Sequence, residues 1–227
     1  MSIARRPWLC GMALWGFSSR WTLAHADPSR KLQNRLELWA NFAGRTQNLR
    51  AQVRLRRESA LLERPLAVTG TLFFRTPDAL LLRDDDPAGI STWIERGVLR
   101  LVPHRADVPA PELPDRHDPA SEWLVEHLVA LFAPPPPGEL GFPRARVLVP
   151  PGSGYRLEFA PLRGSLARRV VRTMTVQLDP VAGAVTRIVL AEAQGDRLSI
   201  DLEDHRQNLD PADIAGPFEA LRSRVGG

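Results

Sequence analysis

The chain has 227 residues, 44% of them apolar and 25% charged, with a formal net charge of +4 and one cysteine. That length provides for a single domain with a sizeable core. One cysteine excludes an internal disulfide and any site built from several thiolates.

Arg5 and Arg6 precede an apolar run over residues 8–17, and Ala24, His25 and Ala26 follow as a small-x-small cleavage signal. The run is shorter than the ~20 residues a membrane span needs, so residues 1–26 read as a cleaved signal peptide rather than a short anchor. The arginine pair is compatible with Sec or twin-arginine export. Removing this segment takes away Arg5, Arg6, Arg20 and Cys10. The remaining chain then carries a charge of only about +1, too little to imply nucleic acid. Cys10 lacks the small residues expected before a lipid-attachment cysteine.

Residues 28–44 place Leu32, Leu36, Trp39 and Phe42 at steps of four, three and three, which predicts an amphipathic helix. Over residues 49–56 the period changes to two. Leu49, Ala51, Val53 and Leu55 alternate with Arg50, Gln52, Arg54 and Arg56, a strand with one dry face and one charged face. Those arginines read as groups that keep an exposed sheet face soluble.

The alternation returns at Ala145/Val147/Val149, Tyr155/Leu157/Phe159, Met174/Val176/Leu178 and Leu198/Ile200/Leu202. Turn signals at residues 179–183 and 194–196 lie at hairpin distance. One-sided strands joined by short turns predict an antiparallel sheet. Between them, the proline-rich residues 106–118 read as an exposed loop. Residues 119–133 then read as a mostly apolar helix, with Asp118 as cap, Pro119 at its first position, and Pro134–Pro137 ending it. The residues after Phe218, 219–227, read as a disordered tail.

No catalytic motif accompanies this framework. His104, His117, His127 and His205 lack metal-ligand spacing, and His104 and His117 read as solvated. Ser153 lies between glycines but without the spacing of a nucleophile elbow. Asp84, Asp85 and Asp86 read as a charged turn rather than a cation site.

The order of elements, with residues 70–82 (GTLFFRTPDALLL), the strand tryptophan Trp93, and a closing strand–turn–strand carrying Gly195 and Asn208, resembles the LolA-like periplasmic lipoprotein carriers. The resemblance covers most of residues 32–218 and implies a mainly β fold with helices. It implies a strongly curved antiparallel sheet forming a half-open barrel, its concave face covered by helices, as one carrier domain over residues 27–218.

The implied function is a periplasmic carrier without enzymatic activity, cofactor or metal. It would hold the acyl chains of a lipoprotein or other lipid cargo, taken from an inner-membrane transporter and handed to an outer-membrane acceptor. A monomer that does not bind nucleic acid is expected. The alternative is a periplasmic sensor or interaction module on the same scaffold, binding a membrane signalling protein.

On this reading the cavity is lined by Val53, Leu55, Leu72, Phe74, Leu80, Leu82, Trp93, Leu157, Phe159, Met174 and Val176. Leu124, Leu128 and Phe132 of the second helix form its lid. The family's lid-fastening arginine directly precedes the strand proline. Aligned on Pro77, that position is Thr76 here, and alternation with Leu72 and Phe74 sends the neighbouring Arg75 outward, as a surface residue.

Overall fold

The computed structural model describes residues 28–109, 111, 118–137, 140 and 142–225. The expected signal peptide and His117 lie outside the described residues.

Helix α1 spans Pro28–Ala43 and buries Leu36, Trp39 and Phe42, the stripe set by its three-and-four spacing. Five strands follow: β1 (Asn48–Glu58), β2 (Leu66–Arg75), β3 (Ala79–Asp84), β4 (Ile90–Glu95) and β5 (Val98–Pro103). Helix α2 (Pro119–Ala130) precedes β6 (Ala145–Leu148) and β7 (Arg156–Pro161). A 3-10 turn at Leu166–Arg169 leads to β8 (Val171–Leu178), β9 (Val185–Glu192) and β10 (Arg197–Gln207), and helix α3 (Pro211–Val225) closes the described chain.

All ten strands form one antiparallel sheet in the order β5-β4-β3-β2-β1-β10-β9-β8-β7-β6. The sheet does not close, since β5 and β6 are its edges. It must nevertheless curl. Helix α2 touches both β5 and the 3-10 turn between β7 and β8. On a flat sheet those would stand about 35 Å apart at ~4.8 Å per strand, whereas a helix of this length is only about 18 Å long. The expected fold, mainly β with an open antiparallel sheet and helical cover, is what the chain adopts.

The two faces carry separate cores. On the inner face, α1 and α2 pack with Leu49, Leu72, Phe74, Leu80, Phe159 and Met174 into the larger cluster. On the outer face Phe73, Leu81, Trp93 and Val102 pack under Ile214, Phe218 and Leu221 of α3. This corrects the expectation of a disordered tail from residue 219, because α3 continues to Val225 and Leu221 is buried. The four- and three-residue spacing of Ile214, Phe218 and Leu221 is helical. Gly216 and the interior Pro217 obscure that signal, because both residue types disfavour a helix interior.

Candidate functional site

The inner face is not filled along its whole length. At the end away from α1 it opens into a cleft of about 980 Å3, with Val53, Leu55, Leu82, Leu101 and Leu198 on its walls. The strand register assembles these walls. Leu82 stands between Leu72 of β2 and Thr92 of β4, and Thr92 faces Leu101 of β5. Val53 pairs with Gly70, and a Cβ at Gly70 would meet the Arg83 carbonyl oxygen at 2.2 Å. Only glycine lets β2 and β3 approach this closely at the edge of the cleft. The rim is polar, formed by Arg57, Arg83 and Asp84–Asp86.

The expected lining divides into three groups. Val53, Leu55 and Leu82 line the cleft. Leu72, Phe74, Leu80, Leu157, Phe159, Met174 and Val176 share the inner face but are buried in its packed core. Trp93 is a correction, since it lies in the outer-face cluster beneath α3. Strand alternation places Ile94 on the inner side and Trp93 opposite it. There the Trp93 ring has Arg100 and Arg222 over it, at 5.1 and 5.8 Å. Trp93 looked like a cavity residue only because its true cover, α3, is weakly signalled in the sequence. Leu66, Leu101 and Leu198 are additional cleft residues. For Leu198, the alternation with Ile200 and Leu202 already indicated the correct face.

Helix α2 covers the filled part of the inner face and is held at several points. Asp118 caps it, its carboxylate accepting from the Ser121 backbone N–H at 2.8 Å, with Pro119 at the first position as expected. The Trp39 indole donates to the Leu131 carbonyl at 2.9 Å, and the Trp123 indole to the Arg144 carbonyl at 3.2 Å. The Arg144 guanidinium pairs with Glu126 and lies 3.7 Å from Glu122. The Phe132 ring sits 6.0 Å from Phe74, while Leu124 and Leu128 are only partly buried against the same core.

Within this cover, His127 stacks on Trp123 at 4.1 Å and donates from Nδ1 to the Trp123 carbonyl at 2.7 Å. Its Nε2 has no partner among the described residues. Burial pushes its pKa below the usual histidine range, and the Trp123 carbonyl only partly counteracts this.

Thr76, the position of the family's latch, lies just beyond β2, and its N–H donates to the Gln47 carbonyl at 3.0 Å. Arg75 is on the outer face, as alternation requires. It is not left in water, however. It pairs with Glu95 at 3.1 Å and lies 5.2 Å over the Phe218 ring, under α3. The same Glu95 accepts from Arg222 at 2.6 Å.

His104 also departs from the solvated reading. Its Nδ1 donates to the Asp86 carbonyl at 2.6 Å, which leaves Nε2 to accept from the Ser91 hydroxyl at 2.7 Å. This is hydroxyl–imidazole geometry, but Ser91 is fully buried and so is closed to substrate. Asp84 and Asp86 accept from the Asp86 and Ala88 backbone N–H groups, holding the turn as a charged turn should. Among the described residues no cluster of His, Cys, Asp or Glu could hold a metal ion. None of their helices is long and apolar enough to cross a membrane.

No family model and no curated protein matches the sequence. Solved structures do. A DUF1329 family protein from Desulfovibrio piger is similar at 12% identity and TM-score 0.46, over 86% of this chain and 99% of that one. A LolA superfamily protein from Nitrosomonas europaea is similar at 13% identity and TM-score 0.43, over 81% of this chain and 96% of that one. The MucA/MucB complex of Pseudomonas aeruginosa contains a chain similar at 15% identity and TM-score 0.38, over 80% of this chain and 59% of that one. The likeness is to a general course of sheet and helices, and it bears on no functional detail.

Proposed function

We propose that this protein is a periplasmic carrier whose inner-face cleft holds the acyl chains of a lipoprotein or another lipid. It takes the cargo from an inner-membrane transporter and passes it to an outer-membrane acceptor. The observation that carries this reading is the open cleft of about 980 Å3 walled by Val53, Leu55, Leu82, Leu101 and Leu198. Its size is at the upper end of ordinary ligand sites. Each methylene withdrawn from water there contributes ~0.8 kcal/mol, so affinity needs no catalytic or ionic group.

Leu72, Phe74, Leu80, Leu157, Phe159, Met174 and Val176 serve as packed floor beneath α2, with Leu124, Leu128 and Phe132 as the cover. Cargo longer than the open cleft reaches this floor only if α2 moves. Purification from the native envelope followed by mass spectrometry of bound lipid tests the reading. Co-purifying acyl lipid at near-stoichiometric yield supports a carrier, and protein free of lipid contradicts it. The packed state of most of the inner face favours the second reading, an interaction module. That reading expects a membrane protein partner and no lipid in the same experiment.

A further inference from the structure

The antiparallel order brings four connections to the end of the sheet where the cleft opens: β1–β2, β3–β4, β7–β8 and β9–β10. The register fixes this, with Glu58 opposite Arg197, Arg57 opposite Leu66, Ile90 opposite Pro103 and Val171 opposite Glu192. The β7–β8 connection is unlike the others. Residues 162–172, LRGSLARRVVR, contain four arginines and no acid.

Three apolar side chains of this stretch stand in water: Leu162 at 48% exposure, Leu166 at 53% and Val170 at 42%. Arg163, Arg168 and Arg169 beside them are exposed as well, and no ion pair involves them among the described residues. The fourth arginine, Arg172, donates to the Ala193 carbonyl.

The connection is built rather than loose. Ser165 caps the 3-10 turn, and successive backbone bonds run from Ser165 to Leu162, from Arg168 to Ser165 and from Val170 to Ala167. Ala167 is buried in the inner-face core and anchors the turn against α2. Leucines held out of a core by a fixed backbone, interleaved with unpaired arginines, have the composition of a surface that enters the headgroup layer of a bilayer. The β1–β2 tip at the same end adds Leu61 at 93% exposure. The acidic β3–β4 turn is a separate connection on the same rim, divided from the β7–β8 connection in the sheet order by β2, β1, β10 and β9.

We propose that this connection docks the protein on an anionic lipid bilayer. Leu162, Leu166 and Val170 enter the headgroup–acyl boundary, and Arg163, Arg168 and Arg169 meet lipid phosphates. The mouth of the cleft then faces the leaflet. The docking surface is separate from the cleft and does not depend on what the cleft holds.

Vesicle flotation tests it, using the purified full chain and variants sharing its N-terminus. Phosphatidylcholine vesicles are compared with vesicles containing about one third phosphatidylglycerol, an anionic lipid. The protein is expected to float with the anionic vesicles and to be released by salt. Together R163Q, R168Q and R169Q should lower partitioning roughly 100-fold, at about five-fold per arginine, while L166D alone should also weaken it. Circular dichroism and uptake of a fluorescent acyl probe in solution should be unchanged in the arginine variant. Failure of the wild type to float with either vesicle would overturn the proposal, as would equal flotation of the triple variant. Capture of an acidic protein by this surface without vesicle binding would overturn it too.

Discussion

The Trp39 indole N–H donates to the carbonyl of Leu131 at 2.9 Å, joining the first helix to the end of the second. Both residues are buried, so the bond fixes the cover of the inner face to α1 on the same face. Trp39→Phe keeps most of the ring and removes the donor. The orphaned carbonyl should then cost about 1–3 kcal/mol, read from urea unfolding. Amide exchange at Leu131 and Phe132 should accelerate more than in β1.

Leu82 and Phe159 separate binding from folding. Leu82 lines the open cleft and is only partly buried, whereas Phe159 is fully buried and packs edge-on against Phe142 at 4.6 Å. Leu82→Asp should lower acyl-probe affinity at least about ten-fold, for loss of roughly 1.5 kcal/mol or more of apolar contact, with little change in unfolding midpoint. Phe159→Ala should cost about 3–5 kcal/mol of stability. Equal losses of stability would make Leu82 part of the core.

Glu95 receives Arg75 and Arg222 together, and it is the less exposed partner in both pairs. Arg75→Leu leaves Glu95 with Arg222, so its cost should stay near or below ~1 kcal/mol, and transfer of cargo should be unaffected. Glu95→Gln removes the partner of both cations and should cost more. A double-mutant cycle over Arg75 and Arg222 reads their coupling.

His127 gives the cover a pH dependence of defined sign. Its folded-state pKa is lowered by burial, so the unfolded chain takes up the proton at higher pH than the folded protein does. The contribution of neutral His127 is therefore fully present above ~6.5, the ordinary histidine value. It is lost as pH falls from there toward the lowered folded value. Glu126 raises this pKa and Arg144 lowers it, both more weakly than burial. Stability measured from pH 8 to pH 5 should decline below about 6.5, and His127→Phe should flatten that part of the curve.

The sheet was legible because its strands obey a two-residue period with one dry side, from Leu49, Ala51 and Val53 through to Leu202. Helix α2 was legible from Asp118, Pro119 and the proline run. What stayed hidden came from tertiary cover. Trp93 and Phe73 are as apolar as the inner-face residues, and periodicity does not reveal that a third helix, α3, shields the other side. That helix is interrupted by Gly216 and Pro217, so its stripe of Ile214, Phe218 and Leu221 reads weakly. Nor does alternation distinguish Leu82, which borders a cleft, from Leu80 two residues away, which is packed. The difference depends on how far α1 and α2 extend along the face.

The most direct test is photolabelling with a fatty acid carrying a diazirine on its chain, followed by mapping of the modified peptides. Labels concentrated on residues 53–57, 66–70 and 82, and competed away by unlabelled lipid, are the expected result for a carrier cleft. Labels confined to the outer face under α3, or no competable labelling anywhere, would contradict it.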